Sequence, residues 1–252
     1  MAYTTEDGGV DFSVHNDRVD VDKLRAFVPK VTFGFARIGM SWGYKDPKFN
    51  YFRNILEDQM GVWFAGYHVI FPAENIEAQF DNMMAAAGPN LKAYVIDDEL
   101  IHGCSPAKKR QALNEFAQRI LDAGKEAWIY TSPLWCNQNI TPKGCIIPEA
   151  MLRSKWWLAQ YLYQQTGGIE YPNPPDLVNG ISRDKVYVHQ TTSAMPGWKI
   201  GQPSGSPTFD FNRWLIGKPE GGVTPPQPPP VLTYEQKVDV LVAGHPQLFP
   251  AA

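Results

Sequence analysis

Strand-like and helix-like segments alternate along the first 217 residues of the chain, and this alternation limits the possible folds more than any other feature. Segments rich in β-branched and aromatic residues predict eight strands, at residues 9–14, 31–38, 62–71, 93–97, 126–131, 156–161, 186–191 and 208–211. Amphipathic segments between the early strands predict helices at residues 21–28, 47–59, 73–87 and 105–123. Such alternation is typical of a parallel α/β fold.

The second half of this region is less regular than the first. Between residues 131 and 184 every long helical pattern is interrupted by glycines and prolines, among them Pro133, Pro142, Pro148, Pro172, Pro174 and Pro175. Only short helices are expected there. With a length of 252 residues, which suits one barrel domain, the sequence predicts an α/β fold: an irregular, TIM-like (β/α) barrel with a degenerate second half.

The composition changes after this region. Residues 219–230 contain six prolines and two glycines, which predicts a polyproline-like linker. Beyond it, Thr233 and Gln236 fit a capping box and Gly244 can end a short helix. We therefore expect a barrel domain at 1–217, a linker at 218–231 and a helical tail at 232–252. The tail is expected to dock or fray, and the alternative is an assembly or attachment element.

Charge and hydropathy exclude several classes of protein. The net charge is −3 and no dense basic run is present, which argues against nucleic-acid binding. The longest apolar run, residues 62–71, is too short to cross a membrane, and residues 1–7 do not read as a signal peptide. The three cysteines fit no zinc pattern and allow at most one disulfide, Cys136 to Cys145, with free thiols as the default.

Four carboxylates lie in or directly after predicted strands: Asp11, Asp97, Glu99 and Asp210. In parallel barrels the carboxyl ends of the strands hold the active site. Alternate residues of a strand share a face, so Asp97 and Glu99 are expected to point one way and Asp98 the other. Crowded carboxyl groups raise the pKa of at least one member, which supplies a proton donor at neutral pH.

That arrangement suits cleavage of a glycosidic bond, which needs an acid for the leaving oxygen and a carboxylate for the developing positive sugar. Two other interpretations are open. Each acid could be a helix cap or a salt-bridge partner, or the four could bind a hard cation with His68 or His189 as further ligands. No closely spaced histidine pair supports the metal site, and neither a metal nor another cofactor is expected.

Several motifs together resemble glycoside hydrolase family 25, the N-acetylmuramidase type of lysozyme. The resemblance covers about residues 8–216. Its motifs are Val10-Asp11-Phe12-Ser13 with Asn16, Phe35-Ala36-Arg37-Ile38-Gly39, Ala65-Gly66-Tyr67-His68, Asp97-Asp98-Glu99, Trp128-Ile129-Tyr130-Thr131, Trp157-Leu158-Ala159-Gln160-Tyr161, His189-Gln190-Thr191-Thr192-Ser193 and Asp210-Phe211-Asn212.

The resemblance implies an irregular α/β barrel that hydrolyses the β-1,4 bond between N-acetylmuramic acid and N-acetylglucosamine in peptidoglycan. It implies that Glu99 is the proton donor and Asp97 the second catalytic carboxylate, with Asp11 and Asp210 shaping charge and hydrogen bonding nearby. Asp97 could act as a nucleophile or could orient the acetamido group of the substrate, and both routes are open.

Substrate-binding residues follow from the same motifs. Sugar rings stack on aromatic faces, so Tyr67, Tyr130 and Trp157 are candidates, followed by Arg37, His68 and Gln190. Arg37 is expected to pair with one of the acids, and a scaffolding role is the stronger expectation for the two motif histidines. Further aromatic residues in predicted loops could extend the groove or pack: Trp42, Tyr44, Trp135 and Trp198.

Two alternatives remain at this stage. A chitinase-like glycosidase would need acids at positions 92 and 95, which hold Lys92 and Val95. A glycan-binding barrel without turnover would not need the intact pair Asp97 and Glu99. One departure from relatives is the acid at position 98, where a bulky apolar residue is common.

The expected partners are the glycan strands of peptidoglycan, with no nucleic acid and no membrane insertion. A monomer is expected, with tail-mediated assembly as the alternative. The expected location is that of a phage or prophage endolysin, cytoplasmic until its release to the cell wall.

Overall fold

A computed structural model describes residues 8–100, 103–162, 168–203, 205 and 208–216. The predicted linker and tail lie outside this part of the chain. Its strands are β1 (Gly8–Phe12), β2 (Val31–Met40), β3 (Tyr44–Lys45), β4 (Trp63–Val69), β5 (Ala93–Asp97), β6 (Glu126–Thr131), β7 (Lys155–Ala159), β8 (Val186–Met195) and β9 (Phe209–Trp214). All eight predicted strands are present, and only the two-residue β3 was not predicted.

Eight of the strands close into a barrel, with the order β1-β9-β8-β7-β6-β5-β4-β2 and a further pairing of β1 with β2. Pairing is parallel from β1 through β2 and β4 to β8. The last strand, β9, runs antiparallel to both neighbours. The predicted irregular α/β barrel is therefore confirmed.

The helices between the early strands are α1 (Val21–Arg25), α2 (Phe49–Arg53), α3 (Ile76–Ala87) and α4 (Pro106–Asp122), and α2 continues as a π-helix at Asn54–Gln59. The capping predicted for α4 is confirmed, because Ser105 Oγ accepts a hydrogen bond from the N–H of Lys108. The predicted start of α3 was too early, because Asn75 caps that helix by accepting from the N–H of Ala78.

The second half of the barrel contains only short helices, as predicted. They are α5 (Pro133–Asn139), α6 (Glu149–Arg153) and the 3₁₀ turns Arg183–Lys185 and Gly197–Ile200. Ser132 caps α5 and Pro133 is its first residue, so proline begins a helix here as well as interrupting longer ones. Cys136 and Cys145 are not bridged, and both are free thiols. None of the helices that it describes is long and apolar enough to cross a membrane.

Two apolar layers hold the barrel together. The outer layer lies between strands and helices and includes Ile96, Phe116 and Ile129. The inner layer fills the barrel with aromatic rings, of which Phe35 and Trp157 stack at 4.0 Å between centroids. These rings fill the barrel near the amino ends of the parallel strands. The open end therefore lies at the carboxyl ends of the strands.

A hairpin extends β2 beyond the barrel. Gly39 and Met40 pair with Lys45 and Tyr44 of β3. A Cβ on Gly39 would lie 2.2 Å from the carbonyl oxygen of Tyr44, so the close approach of the two strands requires glycine there. The turn that joins them contains Ser41 in the left-handed region, with φ 52°.

Candidate active site

Polar side chains replace the apolar filling at the open end of the barrel. Asp11 on β1 lies opposite Asp210 on β9, and Asp97 at the end of β5 lies beside Tyr130 of β6. Side chains on this inner face alternate with outward ones along each strand. The structure thereby brings together all four acids that the sequence singled out, since each feels the charge of another.

Asp11 is held by hydrogen bonds from two amide side chains. Its Oδ2 accepts from Nε2 of Gln190 at 3.0 Å and from Nδ2 of Asn212 at 2.7 Å. The amides are themselves fixed, because Asn212 Oδ1 accepts from Nε1 of Trp157 at 2.8 Å and Gln190 Oε1 accepts from the hydroxyl of Tyr130 at 2.8 Å. These interactions orient Asp11 and favour its ionised form.

Asp210 forms a carboxyl pair with Asp11. Burial raises the pKa of Asp210 well above its usual value, and the negative charge of Asp11 raises it further. The pKa of Asp11 is also raised by burial, but hydrogen bonds from Asn212, Gln190 and Asp210 lower it in part. The hydrogen bonds to Asp11 oppose the effect of burial, so the pKa of Asp210 is raised more than that of Asp11.

Asp97 lies deep in the site with little hydrogen bonding. It is only 5% exposed, and its Oδ1 has no hydrogen-bond partner among the residues that the structure describes. Burial raises the pKa of Asp97 well above its usual value, with further increases from Glu99, Asp98 and Asp11, and Arg37 opposes them. A buried oxygen without a partner is a costly feature, and substrate can supply the missing contact.

Glu99 follows β5 and stands at the edge of the opening. The residue as a whole is exposed, yet protein atoms around its carboxyl group displace water. This loss of water raises the pKa of Glu99, and the negative charge of Asp11 adds to the effect. A carboxyl group with a raised pKa that reaches solvent can donate its proton to a bound molecule.

Two predicted tyrosines also line the opening. Burial raises the pKa of both Tyr67 and Tyr130 well above the usual value, and nearby acids raise it further. Both phenols therefore stay protonated. Tyr130 is 6% exposed and belongs to the Gln190 network, whereas Tyr67 is half-buried.

Arg37 faces the same opening, but its ion pair differs from the expectation. Its Nε lies 2.9 Å from Oδ2 of Asp46, and both side chains are buried. Asp46 also accepts from the N–H of Val14 at 2.9 Å. The expected pairing of Arg37 with one of the four acids is wrong, because Asp46, in the loop between β3 and α2, forms the ion pair with Arg37 instead. Arg37 still lowers the pKa of Asp97 by its charge.

Neither motif histidine joins the site. His68 Nε2 lies 2.9 Å from the carbonyl oxygen of Ser41, and its ring stacks on Phe116 outside the barrel. His189 Nε2 lies 3.0 Å from the carbonyl oxygen of Gln160. Burial lowers the pKa of each histidine to about 4. The ligand set of the metal hypothesis is not assembled, and the described residues contain no group of three that could hold a metal ion.

The aromatic candidates divide into buried and exposed residues. Trp157 is 1% exposed and lies under Phe35, so the structure makes it a support for Asn212 and leaves no face free for a sugar. Trp42 and Trp198 are each 63% exposed, and Tyr44 is 38% exposed. Trp135 lies against the ammonium group of Lys109.

Three residues of the site were not predicted from the sequence. They are Asn212, Asp46 and Tyr161, whose hydroxyl donates to Gln190 Oε1. Asn212 could have been found, because it follows Asp210 by two residues and so shares its face. The predicted strand at 156–161 also places Tyr161 on the face of Trp157. Asp46 lies outside the strands, where alternation gives no signal.

A barrel whose open end gathers several carboxyl groups with raised pKa values has the architecture of a glycoside hydrolase. The sequence model of the family described as Glycosyl hydrolases family 25 matches residues 10–197. The chain belongs to this family. The glycoside hydrolase class and the lysozyme type expected from the motifs are thereby confirmed.

Solved structures agree with this fold. A bacterial lysozyme from Streptomyces coelicolor is 19% identical over 84% of this chain and 93% of its own, with a TM-score of 0.61. A muramidase from Trichobolus zukalii is 17% identical over 83% and 94%, with a TM-score of 0.64. The modular Cpl-1 endolysin, complexed with a peptidoglycan analogue, is 19% identical over 86% and 56%, with a TM-score of 0.61. No sequence among curated proteins matches the chain.

Proposed function

We propose that this family 25 hydrolase cleaves the β-1,4 bond between N-acetylmuramic acid and N-acetylglucosamine in peptidoglycan, with Glu99 as the general acid. The observation that carries the proposal is the pair formed by Asp97 and Glu99. Asp97 is buried with an oxygen that lacks a partner, and Glu99 stands beside it with a raised pKa and access to solvent. The peptidoglycan analogue bound to the similar Cpl-1 endolysin supports the choice of substrate.

Each acid then has a separate role. Glu99 donates its proton to the oxygen that leaves from the glycosidic carbon, and it later removes a proton from the attacking water. Asp97 stabilises the developing positive sugar, as a nucleophile or by orienting the acetamido group of the substrate. The Asp11 and Asp210 pair contributes one negative charge, which keeps the pKa of Glu99 raised.

The binding residues are assigned by their position at the opening. Tyr67 is proposed to donate a hydrogen bond to a sugar hydroxyl. The Tyr130 hydroxyl, which donates to Gln190, is proposed to accept one. Gln190 acts through Asp11, which it holds. Arg37 acts through the electrostatic field on Asp97. Trp157 and His68 support the barrel wall and have no proposed contact with substrate.

The experiment compares wild type with Glu99→Gln on purified peptidoglycan. Turbidity follows the reaction, and mass spectrometry identifies the sugar that carries the new reducing end. We expect muramic acid ends from the wild type and almost none from Glu99→Gln. Glu149→Gln, an exposed change at the start of α6, is the matched control and should behave as wild type. New reducing ends on glucosamine would show that the enzyme cleaves the other glycosidic bond of peptidoglycan. If several wall types are not cleaved, a glycan-binding barrel without turnover would be favoured.

The role of Asp97 can be separated with a modified substrate. An acetamido route needs the N-acetyl group of the sugar whose bond is broken, whereas a nucleophilic carboxylate does not. Peptidoglycan that lacks this acetyl group should resist cleavage if Asp97 orients it. Cleavage at an undiminished rate, with a covalent adduct detected at Asp97, would establish the nucleophilic route.

We also propose that the protein is a monomeric endolysin whose residues 218–252 form a linker and tail outside the catalytic barrel. The likeness to the Cpl-1 endolysin supports this setting. The protein would then stay in the cytoplasm until a membrane pore releases it to the wall. Its appearance in the medium without a pore-forming partner would contradict that placement, and a dimer mass in light scattering would contradict the monomer.

A further inference from the structure

The segment that carries Glu99 is backed by a buried ionic pair on the side that faces away from the site. Asp98 has no exposed surface, and neither oxygen of its carboxyl group has a hydrogen-bond partner among the described residues. The nearest cation is Lys109 on α4, whose Nζ lies 4.0 Å from Asp98 Oδ1 and which is itself 2% exposed. The orientation of Asp98 agrees with the prediction from strand alternation.

Burying such an ion pair costs free energy. Two buried charges lose their hydration, and apolar residues of similar size often stabilise a protein more than the pair does. The pair also lacks the additional hydrogen bonds that would compensate the carboxylate. Its position next to Glu99 therefore suggests a role beyond packing.

Lys109 reaches past Asp98 to the backbone of the segment. Its Nζ donates to the carbonyl oxygen of Leu100 at 2.9 Å and lies 4.3 Å from the centre of the Trp135 ring. On the other side of Glu99, the carbonyl oxygen of Asp98 accepts from Oγ1 of Thr131 at 3.1 Å. Glu99 therefore lies between two anchored residues, one of which is held by Lys109.

Titratable groups on the β5 segment, α4 and α5 face Asp98. Burial raises the pKa of Asp98 to about 7, Lys109 on α4 lowers it, and Glu99 raises it. The negative charge of Asp98 raises the pKa of Asp97 on the inner side of the same strand. It also contributes to the raised pKa of the Cys136 thiol on α5. The charge state of the pair thus acts on one of the two proposed catalytic acids.

We propose that Lys109 is a positioning residue for Glu99, and that Asp98 and Lys109 together set the electrostatic surroundings of the catalytic pair from behind β5. The inference rests on the proposed function of Glu99 and Asp97. It assigns a functional reason to the buried acid at position 98.

The kinetic test uses Lys109→Met and Lys109→Arg, with Lys108→Met as the matched control, since Lys108 is the exposed neighbour on the same helix. A small displacement of a catalytic group can reduce the rate up to about 100-fold. We expect Lys109→Met to lower kcat by about 10- to 100-fold with KM nearly unchanged. Lys109→Arg should restore part of the activity. An unchanged kcat in folded Lys109→Met would overturn the positioning role.

A double variant separates positioning from folding. Asp98→Leu combined with Lys109→Met replaces the pair with apolar side chains and leaves no unpaired charge, so it should fold even if a single variant does not. We expect it to be as stable as the wild type in thermal unfolding but to retain the loss of kcat. Full activity of this variant would show that the pair only fills space.

A measurement that does not depend on activity completes the test. Carboxyl carbon NMR follows the titration of Asp97 in the wild type, in Asp98→Asn, and in Asp81→Asn as an exposed control. Removal of the Asp98 charge should lower the Asp97 midpoint, whereas Asp81→Asn should leave it in place. An unmoved midpoint overturns the electrostatic part of the inference. An inactive wild type overturns the proposed function itself, and with it the catalytic role of the pair.

Discussion

The two sides of the barrel opening differ in how their carboxyl groups are satisfied. On the side of β1, β8 and β9, Asp11 receives hydrogen bonds from Gln190 and Asn212 and lies opposite Asp210. On the side of β5, Asp97 keeps an oxygen without a partner among the described residues. A saturated carboxylate is fixed in place, whereas an unsatisfied one gains most from a new ligand. The comparison separates a supporting side from a reacting side.

The largest expected effect follows from replacing Asp97, and the same replacement of Asp210 on the other side gives the comparison. Asp97→Asn should lower kcat by about 10²- to 10⁴-fold, the range for loss of a directly participating group. Asp210→Asn should lower it by no more than about tenfold, because the raised pKa of Asp210 favours its neutral form and asparagine is neutral and of the same size. Initial rates on soluble peptidoglycan fragments measure both changes.

Thermal unfolding of each variant shows that it is folded, and Asp81→Asn on the exposed face of α3 controls for the loss of one acidic residue. Equal losses of kcat for Asp97→Asn and Asp210→Asn would remove the distinction between the two sides.

The supporting side can be weakened through Gln190. Gln190→Ala removes one donor to Asp11 and the acceptor of the Tyr130 and Tyr161 hydroxyls, and each buried group that loses a partner costs about 1–3 kcal/mol. We expect a loss of stability of at least about 1–3 kcal/mol and a higher pKa for Asp11. Denaturant unfolding gives the first quantity and carboxyl NMR the second. Gln118→Ala on the surface of α4 is the control. If Asp11 titrates in Gln190→Ala as it does in the wild type, Gln190 does not stabilise the ionised form of Asp11.

Much of this site could be predicted from the sequence because strand alternation is a strict rule. It placed Asp97 on the inner face, Asp98 on the outer face, and all four acids at one end of the barrel. It did not predict the ion pair between Asp46 and Arg37, because that contact depends on a loop between β3 and α2. The motif also predicted that Trp157 binds substrate, because a sequence motif does not show that the ring of Trp157 stacks on Phe35. Three-dimensional packing decides such contacts.

The pH dependence of activity tests how the two sides act on one another. The active form needs one proton on the Asp97 and Glu99 pair, so kcat/KM should rise and then fall with pH. Both pKa values are raised, so both limbs should lie above the ordinary carboxyl values of 3.8 and 4.5.

Asp11→Asn removes a negative charge that raises the pKa of Glu99 and of Asp97. Both limbs should therefore move to lower pH in this variant. A profile that stays in place would mean that the supporting side does not influence the reacting side.

The smallest effect is expected at the rim, where the two exposed tryptophans allow a matched comparison. Trp42 lies on the β2–β3 hairpin, whose turn is held by Asn82 Nδ2 donating to the carbonyl oxygens of Ser41 at 3.1 Å and Tyr44 at 3.0 Å. Trp198 lies between β8 and β9, on the supporting side, and has the same exposed fraction of 63%.

A rigidly held ring loses little entropy on binding, and one aromatic contact contributes about 0.5–1.5 kcal/mol. Trp42→Ala should therefore raise KM by about two- to tenfold, since 1.4 kcal/mol corresponds to a factor of ten, and leave kcat unchanged. Trp198→Ala should change KM by less than about twofold. Steady-state kinetics on glycan chains of increasing length measures both, because an effect at Trp42 should appear only when the chain is long enough to reach the hairpin. The reverse ranking of the two tryptophans would place the glycan strand over β8 and β9 and would contradict the division of the opening.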